Sequence, residues 1–485
     1  MSFSIILLVV FFTIMIGIGL WGMKKTTSLN DFFLGGRSIG PWVSAMAYGT
    51  TYFSAVAFIG FAGKLGWVFG LQTMWIVAGN AFIGAFLAWM VLARRTRRMT
   101  MNLDAMTMPE FLQERYNGKY TKIFSAIVIF IFLLPYSASV FKGLGHLFEA
   151  NFHISFDLAL LIMIGITGIY LVLGGYFAIT LTDFLQGFVM IIGSIAMVSI
   201  LVSKGGGFNE VIDKINMNHL LHVPLEKRPP VLLLISLVFM TSFGTWGLPQ
   251  MVQKFYSVKN EQVITKAAIA TFFFALIIGF AAYFTGSMAH IFFDKLPIIN
   301  GAPAFDRIVP DLLTQHLPEK LMALILLLVL SASMSTLSSL VLVSSSAIAI
   351  DLYKGHVNTN VSADNSLVMM RFLSTLFIII SFFIARYEFA IIITLMSLSW
   401  GAVAGTFMAA YIYGLYWKRT TLAGAAAGMI SGLTTAVTLF FVLGPANSPI
   451  ASSIAMIVPF FVIPAVSMFT KAPDKELIDK AFNGI

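Results

Sequence analysis

Apolar residues fall along this chain in blocks of eighteen or more, separated by short polar segments. The blocks lie at 3–23, 41–66, 68–93, 122–148, 156–173, 178–203, 230–256, 265–293, 319–346, 366–385, 387–414, 421–443 and 450–470. About 20 apolar residues span a bilayer's hydrocarbon as a helix. With no water to satisfy backbone N–H and C=O groups there, each block must be helical. The pattern predicts an all-α membrane protein of about thirteen transmembrane helices in one domain, 1–485. Blocks 41–66 and 68–93 are divided only by a turn at Lys64–Gly66. The largest connections, 204–229 and 294–318, are too short to fold alone. Segment 99–121 is expected to hold a short interfacial helix around Met108-Pro109-Glu110-Phe111-Leu112.

Composition sharpens this picture. Charged residues make up 11% and mean hydropathy is +0.91, against about 25% charged in a soluble domain. The net charge of +9 does not point to nucleic acid, because the basic residues sit at the ends of apolar blocks. About 20 of the 30 Lys and Arg residues fall on one side if the N-terminus is outside and the C-terminus cytoplasmic. The cluster Arg94-Arg95-Thr96-Arg97-Arg98 is the strongest pin, and Lys254 and Lys122 are counted on the same side. This predicts a multi-pass protein of the cell (plasma or inner) membrane. No cysteine is present, which excludes disulfides and thiolate chemistry. The first block lacks a basic leader and is followed by Lys24 and Lys25, so it reads as a retained span and not a signal peptide.

Two blocks are interrupted by helix-breaking residues. One reads Ala47-Tyr48-Gly49-Thr50-Thr51-Tyr52-Phe53-Ser54-Ala55, the other Ser242-Phe243-Gly244-Thr245-Trp246-Gly247-Leu248-Pro249-Gln250. They are either ordinary membrane-helix kinks or unwound stretches whose carbonyls bind cargo. They lie five helices apart, so each opens a five-helix unit, and five being odd inverts one unit against the other. The block 319–346 carries Ser331, Ser333, Ser335, Thr336, Ser338 and Ser339. Such hydroxyls either bond back to their own helix or supply oxygens to a hard cation. Asp183 is the one acid placed at hydrocarbon depth, either an ion site or a helix end near the surface. Lys142 either attracts a carboxylate or snorkels to the headgroups. Asn80 is an interhelical hydrogen bonder or a ligand contact. The histidines, His219 and His222 included, lack neighbouring ligands and give a weak metal signal. No phosphate-binding GxxxxGK[ST] loop occurs, and no catalytic set emerges, so no enzyme activity is expected.

Several segments together resemble the sodium:solute symporters, a family with a LeuT-type 5+5 inverted-repeat core whose repeats each open on a broken helix. They are Leu34-Gly35-Gly36-Arg37-Ser38-Ile39-Gly40-Pro41, Gly174-Gly175-Tyr176 with Thr182-Asp183-Phe184-Leu185-Gln186-Gly187, Gly247-Leu248-Pro249-Gln250, and Ala332 to Ser339 followed by Asp351-Leu352-Tyr353. The resemblance implies a helix at 3–23, a first repeat at 41–203, a second at 230–414 and two closing helices at 421–470. It implies a first sodium site from the carbonyls of Thr50, Phe53 and Ala332 and the hydroxyls of Ser335 and Thr336. It implies a second site from Asp183, Ser335, Ser338 and Ser339. Cargo contacts by alignment are Tyr52, Ser54, Asn80, Tyr136, Thr241, Thr245 and Trp246. The proline-transporting branch carries an aspartate where Tyr52 stands and aromatics at Thr241 and Thr245, and sialic-acid members use an arginine absent here from 122–148. The stretches around Tyr52 and Pro249 resemble the pantothenate and monocarboxylate branches. The expectation is sodium-coupled secondary active import of a small carboxylate or amino-acid-like solute by alternating access, with Na+ as coupling ion, no cofactor and no obligate protein partner. The rivals are a proton-coupled transporter of the same fold, with Asp183 carrying the proton, and a non-transporting sensor or channel.

Overall fold

The computed structural model describes residues 2–25, 33–173, 176–299, 301–357 and 363–485. Gly174 and Gly175 of the expected signature lie outside the described residues. The described residues are almost wholly helical, with one antiparallel two-residue strand pair among them, Ile298–Ile299 with Ala302–Pro303. The helices used below are α1 (Ser2–Lys25), α2 (Pro41–Tyr52), α3 (Lys119–Phe152), α4 (Phe156–Leu173), α5 (Tyr176–Lys204), α6 (Val231–Phe243) and α7 (Pro249–Tyr256). They continue as α8 (Gln262–Ser287), α9 (Glu319–Ser346), α10 (Ala363–Arg386), α11 (Ile392–Tyr416), α12 (Leu422–Leu443) and α13 (Ser448–Phe469). Helices α9 and α11 are buried over nearly their whole length, whereas α1, α10 and α12 present most of theirs outward.

Both expected breaks are present. Helix α2 stops at Tyr52, Phe53 is extended (φ −106°, ψ 129°), and the chain becomes helical again at Ala55. The second break is a 42° bend between α6 with its continuation to Trp246 and α7. Leu248 is extended there and Pro249 opens α7, a position where its missing N–H leaves no helix bond unmade.

Ten described helices are long and apolar enough to cross a bilayer, and the bent pair makes an eleventh span. The expected thirteen blocks divide differently for two reasons. Helix α2 has only 12 residues before its break, and helix runs on from Val56 to Asn102. The turn within that run is not at Lys64–Gly66, which sits inside a helix, Ala62–Phe69. It is at Gly70, held at φ 55° and ψ −135°, a conformation glycine adopts without a Cβ clash. Contacts along α8 show the reversal: Gly49 lies against Phe274 and Ala62 against Gly286, then Val77 against Gly279 and Phe86 against Phe272. The chain climbs one side of α8 and descends the other.

Gly66 is glycine for a different reason. A Cβ there would lie 2.2 Å from the Gly286 carbonyl carbon, and a Cβ on Gly286 would lie 1.8 Å from Ala62 O. Two backbones touch at this crossing, the small-residue packing that membrane helices use. Gly286→Ala is therefore expected to lower unfolding free energy by about 1–3 kcal/mol or more through overpacking. Gly17→Ala, at a glycine with open space around it, should leave it unchanged. Thermal unfolding of the purified variants checks both.

Candidate functional site

The break after Tyr52 leaves backbone groups without helical partners, and α9 supplies them. Ser333 Oγ accepts a hydrogen bond from Ala55 N at 3.0 Å. Thr336 Oγ1 lies 3.0 Å from Thr51 O, 3.5 Å from Thr50 O and 3.1 Å from Ala332 O, close enough to donate to any of them. Ser335 Oγ donates to Thr50 Oγ1 at 2.8 Å. All these residues are buried. Of the expected first sodium set, the structure thus gathers Thr50, Ala332, Ser335 and Thr336, with Phe53 at the break itself. Their oxygens lie about as far apart as neighbours around one hard cation, which holds each at roughly 2.3–2.6 Å. A hydroxyl that donates to a carbonyl can rotate and offer a lone pair to an ion between them, so the donor set fits sodium.

Thr51, absent from that set, extends the cluster. Its Oγ1 lies 3.4 Å from Ser335 Oγ and 3.2 Å from Ser339 Oγ. Beyond Ser339 comes a group the sequence placed elsewhere. Lys254 is not at a basic surface; it is buried in α7, and its Nζ lies 3.2 Å from Ser339 Oγ and 3.3 Å from Asp183 Oδ2. Asp183 is fully buried on α5, not a surface helix cap. A second buried acid, Asp351, lies 3.5 Å from Lys122 Nζ. Of the possible second sodium set, Asp183 and Ser339 meet at Lys254, while Ser338 Oγ donates to Ser335 O within its own helix.

Beside the break lies a narrow cavity, about 20 Å³, lined by Tyr52, Phe53, Ser54, Val56, Ala57, Phe61, Asn80, Tyr136, Thr241, Tyr283, Met396 and Trp400. Five of the seven expected cargo residues line it. Thr245 and Trp246 do not: Thr245 Oγ1 lies 3.1 Å from Gly84 O and Trp246 Nε1 donates to Ile83 O at 3.1 Å, tying the second break to the neighbouring helix. Tyr52 OH donates to Thr241 O at 2.7 Å, and its ring stacks on Trp400. Asn80 Oδ1 accepts from Thr241 Oγ1 at 2.7 Å and Ser242 Oγ at 3.2 Å, so the amide NH2 is its remaining hydrogen-bonding group. Tyr283, Met396 and Trp400 were not foreseen. Polar-tipped aromatics within apolar blocks were the available signal for Tyr283 and Trp400.

Lys142 neither enters the cavity nor snorkels. It is buried, and its Nζ lies 3.1 Å from Asp306, 3.2 Å from Glu388 and 3.1 Å from Ala390 O. His222 Nδ1 lies 3.0 Å from His290 Nδ1 beside Trp67, and no described group of three His, Cys, Asp or Glu side chains is arranged for a metal.

Residues 32–432 match the sodium:solute symporter family. The chain belongs to this family. It is 32% identical over 489 residues to the osmoregulated proline transporter OpuE of Bacillus subtilis, covering 98% of this chain and 96% of that one. It is 31% identical to a sodium/proline symporter of Staphylococcus aureus, covering 96% and 93%. A Na+-coupled sialic acid symporter in a substrate-bound outward-open state superposes with a TM-score of 0.80 over 97% of this chain and 98% of that one, at 15% identity. The fold is thus the LeuT-type inverted repeat. As a sodium:solute symporter, the protein is a membrane transporter and not an enzyme, and it couples a small solute to sodium.

Two expectations follow from this geometry. Tyr52→Phe removes the bond to Thr241 O and should lower unfolding free energy by about 1–3 kcal/mol; an unchanged melting temperature would show the bond idle. Glu388, in the turn between α10 and α11, is pulled down to about 2 from the usual 4.5 by a hydrogen bond from His146, aided by Lys142. A depressed carboxylate favours the fold above its free value and loses that contribution as pH falls toward the folded one. Wild-type stability should therefore drop between about pH 4.5 and pH 2, and Glu388→Gln should flatten that drop in an acid melting series.

Proposed function

We propose that sodium binds between α2 and α9, at Thr50, Phe53, Ala332, Ser335 and Thr336, and that a small carboxylate or amino-acid-like solute binds beside it in the cavity. The observation that carries this is the engagement of Ser335 and Thr336 hydroxyls with Thr50 and Thr51 across two helices. Phe53 and Ser54 belong to both the break and the cavity wall, so ion and solute sites share backbone. An ion that completes its oxygen cage in one conformation only shifts the equilibrium toward that conformation. Residues 41–203 and 230–414 form the two inverted repeats, flanked by 3–23 and 421–470. The Arg94–Arg98 end is cytoplasmic, with the N-terminus outside, and the protein sits in the cell membrane.

The energetics suit uptake. One sodium moving down about 100 mV gains about 2.3 kcal/mol, and a tenfold gradient adds about 1.4 kcal/mol. Together these hold a neutral or zwitterionic solute at roughly 500-fold accumulation. A monoanion carried with one sodium moves without net charge and loses the voltage contribution. No cavity-lining side chain is charged, so a solute carboxylate would meet the sodium ion, the Asn80 amide and the tyrosine hydroxyls. Proline is the first compound to test, since curated relatives are named for it, followed by small monocarboxylates.

The test is thermal stabilisation and solute uptake in sodium against potassium at fixed pH. Ser335→Ala and Thr336→Ala should each raise the half-saturating sodium concentration about tenfold, as loss of one good ligand of about 1.4 kcal/mol implies. Stability in potassium should itself fall, by about 1–3 kcal/mol for a lost buried hydrogen bond, so the quantity to read is the extra stabilisation that sodium gives over potassium in each variant. Sodium affinity untouched in both variants, or uptake that follows pH alone, would defeat the assignment.

A further inference from the structure

The strongest feature left unused by this reading is the enclosed ammonium of Lys254. It stands at the far end of the hydroxyl chain, reached from Thr50 through Ser335, Thr51 and Ser339. Asp183 Oδ2 lies 3.3 Å away, Ser339 Oγ lies 3.2 Å away, and the Tyr176 ring centroid lies 5.3 Å away. The side chains of Lys254 and Asp183 are 1% and 0% exposed. A carboxylate, a hydroxyl and an aromatic face are what a cation selects from its surroundings. Two of the four residues expected to form a second sodium site are thus spent on a positive charge that the chain itself supplies.

We infer that Lys254 is a tethered cation that takes the second ion's place, so that this transporter carries one sodium per cycle. The inference rests on the sodium reading of the first site. A carboxylate balances one unit charge. With the ammonium at hydrogen-bond distance, a sodium ion at Asp183 would add an uncompensated positive charge inside a buried, weakly screened pocket. The first site does not suffer this conflict, because its oxygens are carbonyls and hydroxyls from α2 and α9 and do not include Asp183. Lys254 also comes from α7, a different helix from either of its partners on α5 and α9. The bond therefore ties the second broken helix to the sodium helix without consuming an ion.

The measurement is saturation binding of 22Na+ to the purified full-length chain, counted as ions per chain. Wild type should bind one. Lys254→Met keeps the aliphatic stem and removes the charge, exposing Asp183 to a second ion, so it should bind two with a Hill coefficient above one. Asp183→Asn combined with Lys254→Met removes both charges and should return the count to one. Lys254→Gln serves in place of Lys254→Met if the latter does not elute as a single folded species. Two ions bound by wild type, or one bound by both Lys254 variants, would overturn the inference. If wild type bound none while Lys254→Met bound one that the double variant lost, the first-site reading and the count of one sodium per cycle would fall together, and only the blocking of Asp183 by Lys254 would stand. No binding in any variant would remove both.

Discussion

A helix interrupted halfway through hydrocarbon must find partners for the backbone groups it releases, because no water is there to take them. That constraint organises this protein. The break after Tyr52 is tolerated because α9 runs beside it with hydroxyls at the right heights. Ser333 receives the Ala55 N–H that the break releases, and Thr336 lies against the carbonyls of Thr50 and Thr51. The same oxygens that make the break bearable are those a desolvated alkali ion needs. On the proposed sodium site, structural satisfaction and ion coordination become one arrangement, the hydroxyl hydrogens standing where the cation would stand. The second break, at Leu248, is secured differently, by Thr245 and Trp246 reaching carbonyls of a neighbouring helix.

Charge at depth follows the same economy. Every buried ion described here has a partner from another helix: Lys254 with Asp183, Lys122 with Asp351, Lys142 with Asp306. An isolated charge would be costly in this medium, whereas a paired one fixes which helices lie side by side. These pairs join α7 to α5, α3 to the helical continuation of α9, and α3 to the connection between α8 and α9. Whether such pairs add stability over apolar packing is a separate question; their geometric effect is to specify register between elements that are otherwise smooth and apolar.

Much of this was legible before any coordinates. Glycine and proline inside apolar runs located both breaks, because those residues disrupt helical hydrogen bonding in any setting. Hydroxyl density in 331–339 located the oxygen cluster. Features that depend on which helices become neighbours were not legible. Lys254 sits at the end of an apolar block and reads like any basic residue at a membrane surface; only the packing of α7 against α5 and α9 reveals it as buried. Lys142 had two single-helix explanations, and the structure uses neither, since its partners lie more than 160 residues further along the chain. Gly66 looked like a turn for the same reason: a glycine admitting another backbone and a glycine allowing a reversal carry the same letter. Thr245 and Trp246 were assigned to the cargo by alignment, and the direction in which a side chain points from a broken helix is not encoded in its neighbours along the chain.

The crossing of Gly66 with Gly286 has a mechanical consequence. With no side chain between them, the segment after the first break and α8 meet backbone on backbone, a contact that the proposed rocking would keep if the two move as one strut. Any rearrangement that exposes the cavity to one side and then the other would then bend elsewhere. Under the proposed alternating access, the extended link at Phe53 and Ser54 is the pivot, which puts the joint inside the proposed sodium site.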